Sequence, residues 1–256
     1  MSGVDAAVWA GRLRRAVLER TAIEPLSATR PGLGLADGYA VQRVLRAGAG
    51  PLVGWKLGVT SRAKQTQVGI DSPVFGFLAA ADALAVGQPL ATTALIQPRC
   101  EPEIVVVLGD DLAGPDVTAA DVLAATSGVA VGIEVLDSRY LDYRFTVADG
   151  VADNASASRF VVGPAVPPAG IDLAVVDVAL EHNGAVVATA TGAAALGHPA
   201  AAVAWLVRAL HAVGEGVAAG QIVLSGGLTA AVPVRPGDRV AATVDRLGRL
   251  ELAVTR

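Results

Sequence analysis

A chain of 256 residues, 53% hydrophobic but only 4% aromatic, can bury one large core built from Val, Leu, Ile and Ala. Its net charge of −4 and the lack of any basic run exclude the electrostatic footprint of a nucleic-acid binder. A single cysteine, Cys100, excludes an internal disulfide; with arginines interrupting any signal-like stretch near the N-terminus, it points to a reducing cytosol.

The first fifty residues are predicted helical. Trp9, Leu13, Ala16 and Val17 fall at helical spacing, with Arg12, Arg14 and Arg15 off that stripe. Pro25 to Gly34 breaks the pattern, and Ala40, Val41, Val44 and Leu45 form a second stripe. From Pro51 the texture changes to short β-branched runs, so the chain divides into a helical region over 1–50 and a larger domain over 51–256. Strands are predicted at Val53–Thr60, Ile104–Leu108, Val129–Leu136, Arg159–Val162, Val175–Leu180, Ile222–Leu224, Val240–Val244 and Leu250–Val254. Thr118 and Asp121 form a capping box for a helix over Ala119–Ala125. Pro199 suits the first turn of a helix that His198 caps, that buries Val203, Leu206, Val207 and Leu210, and that ends near Gly214. The apolar stretch from Gly184 to Gly214 is interrupted by Thr189, Thr191, His198 and Pro199, so no run reaches the roughly 18 residues of a membrane span. Strands and helices do not alternate, which favours an α+β fold with a mixed or antiparallel sheet over a doubly wound parallel one.

The chemistry concentrates in Pro98–Leu108. In an extended chain Glu101 and Glu103 share a face roughly 7 Å apart, where like charges repel unless a cation lies between them. Glu134 sits inside the apolar run Val129–Leu136 and needs a partner there. Three oxygen ligands without a His or Cys pair indicate a hard cation, Mg²⁺ or Mn²⁺, with the carboxylates converging on one point. In the competing reading, Glu101 and Glu103 lie on a solvated edge and Glu134 pairs with Arg139 or Lys56. Pro102 suits a strand entrance or edge. Lys56, alone in an apolar, Gly-flanked strand, is a candidate acid/base or carboxylate holder, or an ordinary outward-facing residue. Gly226-Gly227 marks either a close backbone approach or a common turn; His182 and His211 read as surface residues.

These pieces together resemble the 2-keto-4-pentenoate hydratase and 4-oxalocrotonate decarboxylase family, within the fumarylacetoacetate hydrolase superfamily. The carriers are Gly54–Ser61, Gly69–Gly76, the Glu101/Glu103 strand, Glu134–Arg139, Val151–Ser156, Leu196–Pro199 and Ser225–Thr229, with Ala36–Gln42 in the helical part. The resemblance spans nearly the whole chain. It implies a mixed β-sheet roll behind a small helical N-terminal region. It also implies Glu101, Glu103 and Glu134 as ligands of Mg²⁺ or Mn²⁺, Lys56 and Asp71 as catalytic residues, and Ser158, Arg159 and Thr229 at the substrate. Arg159, with Arg139 second, is the expected peripheral cation for a distal carboxylate. The implied substrate is a small unsaturated 2-oxo acid, acted on by a homo-oligomer or by a complex with a related hydratase or decarboxylase. Stretches such as Thr60–Lys64, Val74–Leu78, Gly192–Pro199 and Gly227–Val234 resemble the decarboxylase branch, which converts 2-oxo-3-hexenedioate to 2-hydroxypenta-2,4-dienoate. The alternatives are a hydratase of that dienoate and a non-catalytic partner subunit.

Overall fold

The computed structural model describes residues 3–61, 65–66 and 69–256. Arg62, Ala63 and Lys64 of the Thr60–Lys64 stretch lie outside the described residues. Helix α1 (Gly3–Glu19) buries Ala6, Ala10, Leu13 and Ala16. Val17, expected on that stripe, is 45% exposed: small residues let the neighbouring helix approach, and the buried face is centred on the alanines. The helix ends where Arg20 turns left-handed (φ 51°) and the Thr21 N–H reaches back to the Ala16 carbonyl at 3.0 Å. Inside the expected break, α2 (Leu26–Thr29) buries Leu26; α3 (Leu35–Ala47) buries Val41 and Gln42. These helices share a cluster with Tyr140 and Ala152, and a bridge from Ile23 to Tyr140 joins them to the rest of the chain.

The remaining elements are β1 (Leu52–Gly58), β2 (Val74–Ala79), β3 (Ala83–Leu84), β4 (Leu90–Ala91), β5 (Arg99–Leu108), α4 (Ala119–Ala125), β6 (Thr126–Leu136), α5 (Val147–Ala152), β7 (Ala157–Val162), β8 (Asp177–His182), β9 (Ala185–Thr191), α6 (Pro199–His211), β10 (Ile222–Leu224), β11 (Val232–Pro233), β12 (Arg239–Val244) and β13 (Gly248–Thr255). Two mixed sheets result. The first runs β2-β1-β10-β5-β6-β7-β3, with β11 also on β5; the second runs β4-β13-β12-β8-β9. Strands β1 and β10, β3 and β7, and β4 and β13 pair parallel, and the other pairs are antiparallel. β9 was not legible as a strand because it lies at an edge with Val186 and Val187 both exposed, so it has no apolar-polar alternation.

Alternation along the first sheet sorts its side chains. Trp55, Leu57, Phe75, Phe77, Ile104, Val106, Val131, Ile133, Val135, Val161 and Val223 join the main core, against which β8, β12 and β13 of the second sheet pack. The intervening residues emerge on the opposite face, where Leu78, Val105, Ala130, Phe160 and Leu224 make a separate small cluster. Both sequence-predicted caps form: the Thr118 side chain accepts from the Asp121 N–H, and His198 Nδ1 accepts from Ala200 at 3.0 Å. Among the described residues, 192–211 is the stretch long and apolar enough to cross a membrane. It is half buried, is interrupted by left-handed Leu196 and Gly197, and packs Val203, Leu206, Val207 and Leu210 into the core.

Candidate functional site

The face of the first sheet away from the second carries the clustered charges. Glu101 stands directly opposite Glu134, and Glu103 opposite Gly132. Lys56 is registered with Leu224 of β10, and Leu224 with Val105 of β5, so Lys56 shares the phase of Glu101, Glu103 and Val105. All four charged side chains are buried, none more than 6% exposed. Pro102 lies mid-strand, not at an entrance or edge. Its carbonyl accepts from the Leu228 N–H at 3.0 Å, and a strand residue's N–H and C=O point the same way. The missing donor therefore faces the loop after β10 and costs the β5–β6 ladder nothing.

That loop explains the double glycine. The Gly226 N–H donates to Glu103 Oε2 at 2.7 Å. A Cβ on Gly227 would lie 1.3 Å from Glu101 Oε2, so only glycine leaves room for that carboxylate. Lys56 Nζ lies 2.8 Å from Glu134 Oε1 and donates to the Ala155 carbonyl at 3.1 Å. Glu134 therefore pairs with Lys56, while Arg139 pairs with Asp153. Among the described residues no three acidic, His or Cys side chains converge in a ready-made coordination shell. Glu134 is turned onto Lys56 and Glu103 onto Gly226, because each carboxylate moves to the nearest donor.

Among the described residues the cluster sets the carboxyls of Glu101, Glu103 and Glu134 beside the Lys56 ammonium in a buried setting, where each charge shifts its neighbours. Burial, then Glu134, push the Glu103 carboxyl well above the ordinary carboxylate range, and Lys56 only partly opposes this. Glu134 is raised by burial against the pull of Lys56. Burial works against the Lys56 ammonium, yet Glu134, Glu103 and Glu101 together raise it above the usual lysine value. The Glu103 and Glu134 side chains also hydrogen-bond each other, which a protonated Glu103 permits. Three clustered, buried carboxyls form an all-oxygen donor set that fits a hard divalent cation, provided Glu134 swings off Lys56.

A cavity of about 230 Å³ opens over Lys56 and Glu101; Val59, Val74, Leu136, Tyr143, Phe145 and Val151 form its apolar wall, and Ser156 adds a hydroxyl. A larger cavity of about 490 Å³, between α3 and the end of α6, contains none of the clustered carboxylates. The other sequence-predicted residues are placed differently. Asp71 is exposed in the loop before β2 and does not line the carboxylate cavity. Arg159 lies opposite Val135, one residue out of phase with Glu134, so it emerges on the other face and pairs with Asp82 at 3.1 Å. Ser158 lines the same separate cleft as Arg159, and Arg139 is spent on Asp153 and neighbouring carbonyls. Thr229 is buried just beyond Gly227, its hydroxyl donating to the Ala230 carbonyl. Sequence reasoning missed Tyr143 and the Ala155 carbonyl, and reached Gly226 only as a close backbone approach without a partner. Val151–Ser156 was visible only as part of a resemblance, and backbone groups leave no compositional trace.

Residues 52–255 match the fumarylacetoacetate (FAA) hydrolase C-terminal family. The chain is similar to a 4-oxalocrotonate decarboxylase of Pseudomonas sp., 41% identical over 236 residues, covering 90% of this chain and 89% of that one. It is 39% identical over 253 residues to a 2-hydroxyhexa-2,4-dienoate hydratase of Comamonas testosteroni, covering 95% of each. The solved structure of 4-oxalocrotonate decarboxylase from Pseudomonas putida, complexed with magnesium and adipate, matches with a TM-score of 0.95 and 37% identity over 99% of this chain and 98% of that one.

Proposed function

The chain belongs to the 2-keto-4-pentenoate hydratase and 4-oxalocrotonate decarboxylase family of the fumarylacetoacetate hydrolase superfamily, and from that premise we propose that it is a Mg²⁺- or Mn²⁺-dependent lyase of small unsaturated 2-oxo acids, decarboxylating 2-oxo-3-hexenedioate to 2-hydroxypenta-2,4-dienoate. The observation that carries this reading is the buried cluster of Glu101, Glu103, Glu134 and Lys56, of which Lys56 and Glu101 open onto a largely apolar cavity. Glu101, Glu103 and Glu134 would hold the cation. A divalent cation there supplies Lewis acidity toward a 2-oxo carboxylate.

The remaining work falls to the chain. In the decarboxylation the bond to the distal carboxyl breaks and CO₂ leaves. Its electron pair moves through the adjacent double bond toward the 2-oxo oxygen, where a proton completes the dienol. In this reading Lys56 Nζ, favoured as the ammonium by the neighbouring carboxylates, donates a hydrogen bond or that proton. Among the described lining residues, Tyr143 and Phe145 offer ring surface. A distal carboxylate against those rings would be poorly solvated, and losing its charge as CO₂ would be correspondingly favoured. Arg99 sits behind the Tyr143 ring, 3.9 Å from its centroid, and replaces Arg159 as the peripheral cation in this reading. The test incubates the protein, with Mg²⁺ or Mn²⁺, with each of 2-oxo-3-hexenedioate and 2-hydroxypenta-2,4-dienoate, following ultraviolet absorbance and CO₂. Release of CO₂ from the first supports the decarboxylase. Hydration of the second without CO₂ from the first assigns the hydratase instead, and turnover of neither leaves the partner-subunit reading.

A further inference from the structure

Between α5 and β7 three consecutive non-glycine residues are left-handed: Asn154 (φ 53°), Ala155 (φ 51°) and Ser156 (φ 59°). Such a conformation is unfavourable for each residue and persists only where the surroundings dictate it. The surroundings here do so from both sides. Asn154 Nδ2 donates to the Phe77 carbonyl and its Oδ1 accepts from the Phe77 N–H, each at 2.9 Å, so one side chain completes the edge of β2. Gly76 provides the seat: a Cβ there would lie 2.8 Å from the Asn154 carbonyl oxygen, 2.9 Å from its Oδ1 and 3.2 Å from Lys56 Cγ. On the other side the Ser156 carbonyl accepts from the Asp137 N–H at 2.8 Å, and Arg139 donates to the carbonyls of Asp153 and Ala157. With its flanks pinned, the turn aims its middle carbonyl, that of Ala155, at Lys56 Nζ.

We propose that Asn154 is a positioning residue for Lys56. By clamping the turn to β2 it fixes the Ala155 carbonyl, and that carbonyl, with Glu134, holds the ammonium at one point over the carboxylate cluster. The inference rests on the reading that Lys56 acts on the substrate. The Asn154→Gly variant keeps the left-handed backbone accessible while removing the amide. It should lower kcat by about 10- to 100-fold, the loss typical of a misplaced catalytic group. The kcat loss should exceed any change in KM, although Ala155 and Ser156 also line the cavity, and Mg²⁺ affinity should hold or rise as a loosened Lys56 competes less for Glu134. In a Lys56→Ala background, Asn154→Gly should cause no further loss, because its effect passes through Lys56. Gly76→Ala, which drives a methyl into the Asn154 carbonyl, should reproduce the kcat loss and carries the test if Asn154→Gly does not fold. Full kcat in Asn154→Gly or in a folded Gly76→Ala, or an equal further loss in the Lys56→Ala background, overturns the proposal. If the wild-type chain turns over neither substrate, the assigned reaction fails and crystal structures decide. A Lys56 side chain released from Ala155 in the variant supports the clamp, and an unmoved contact refutes it.

Discussion

At the Lys56 ammonium two opposed demands meet: burial favours the neutral amine, and three glutamates favour the cation and prevail. The same side chain competes with any divalent ion for Glu134. Replacing Lys56 by Ala should therefore tighten Mg²⁺ binding, read by calorimetric titration, while lowering turnover by about 10²- to 10⁴-fold, the usual worth of a positioned acid or base. Unchanged turnover at saturating metal would leave Lys56 only a structural role. Glu134→Gln removes a charge and no volume. Its loss of the Lys56 pair is offset by relief of repulsion with Glu101 and Glu103, so the metal-free melting temperature should move little. The Mg²⁺-induced rise in melting temperature should vanish and turnover should fall by about 10³-fold or more, several kcal/mol of charge stabilisation. A variant that still responds to Mg²⁺ like the wild type would remove Glu134 from the ligand set.

At the scale of elements, register decides which residues meet. Strands β5 and β6 bring Glu101 opposite Glu134, and the loop after β10 closes over them with a glycine where any side chain would collide. Gly227→Ala should displace the Glu101 carboxylate and weaken Mg²⁺ binding by about tenfold or more, at least 1.4 kcal/mol. Thermal unfolding without metal should be only slightly affected, because the displaced atom is the end of a side chain. Wild-type Mg²⁺ affinity in this variant would mean that Glu101 need not stay where it is. The same alternation removes Arg159 from the site, since it is one residue out of phase with Glu134 and paired with Asp82 at a half-exposed position. Arg159→Ala should leave kcat/KM for a dicarboxylic substrate unchanged and cost about 1 kcal/mol or less in stability. A selective loss against dicarboxylic over monocarboxylic substrates would restore Arg159 to substrate recognition.

For the whole molecule, the unusual carboxyls set the pH response. Burial raises Asp153 to about 6 despite Arg139, and raises Glu103 and Glu134 as well. A carboxyl raised in the folded state takes up its proton at higher pH than in the unfolded chain, so folding gains stability as pH falls through that window. For Asp153 the window runs from about 6 down to its ordinary 3.8. Without divalent cations the melting temperature should therefore rise as pH is lowered from 7 to 5, and Mg²⁺, by favouring ionised glutamates, should flatten or reverse that slope. A melting temperature that falls steadily over the same range without metal would contradict the buried cluster. The amino-acid sequence by itself determined the family, the α+β class, the capped helices at Ala119 and Pro199 and most strand cores, because hydrophobic periodicity and capping are local and each leaves its mark within a few residues. It also singled out Glu101, Glu103, Glu134 and Lys56 as charges at odds with apolar surroundings, which is a local signal too. Only the tertiary structure decided that these four share one face, that Glu134 is paired with Lys56 rather than Arg139, that Arg159 and Asp71 lie elsewhere, and that a left-handed turn supplies a carbonyl to Lys56. Those outcomes depend on register between strands far apart in the chain and on backbone groups that every residue carries alike, so no local pattern in the sequence encodes them.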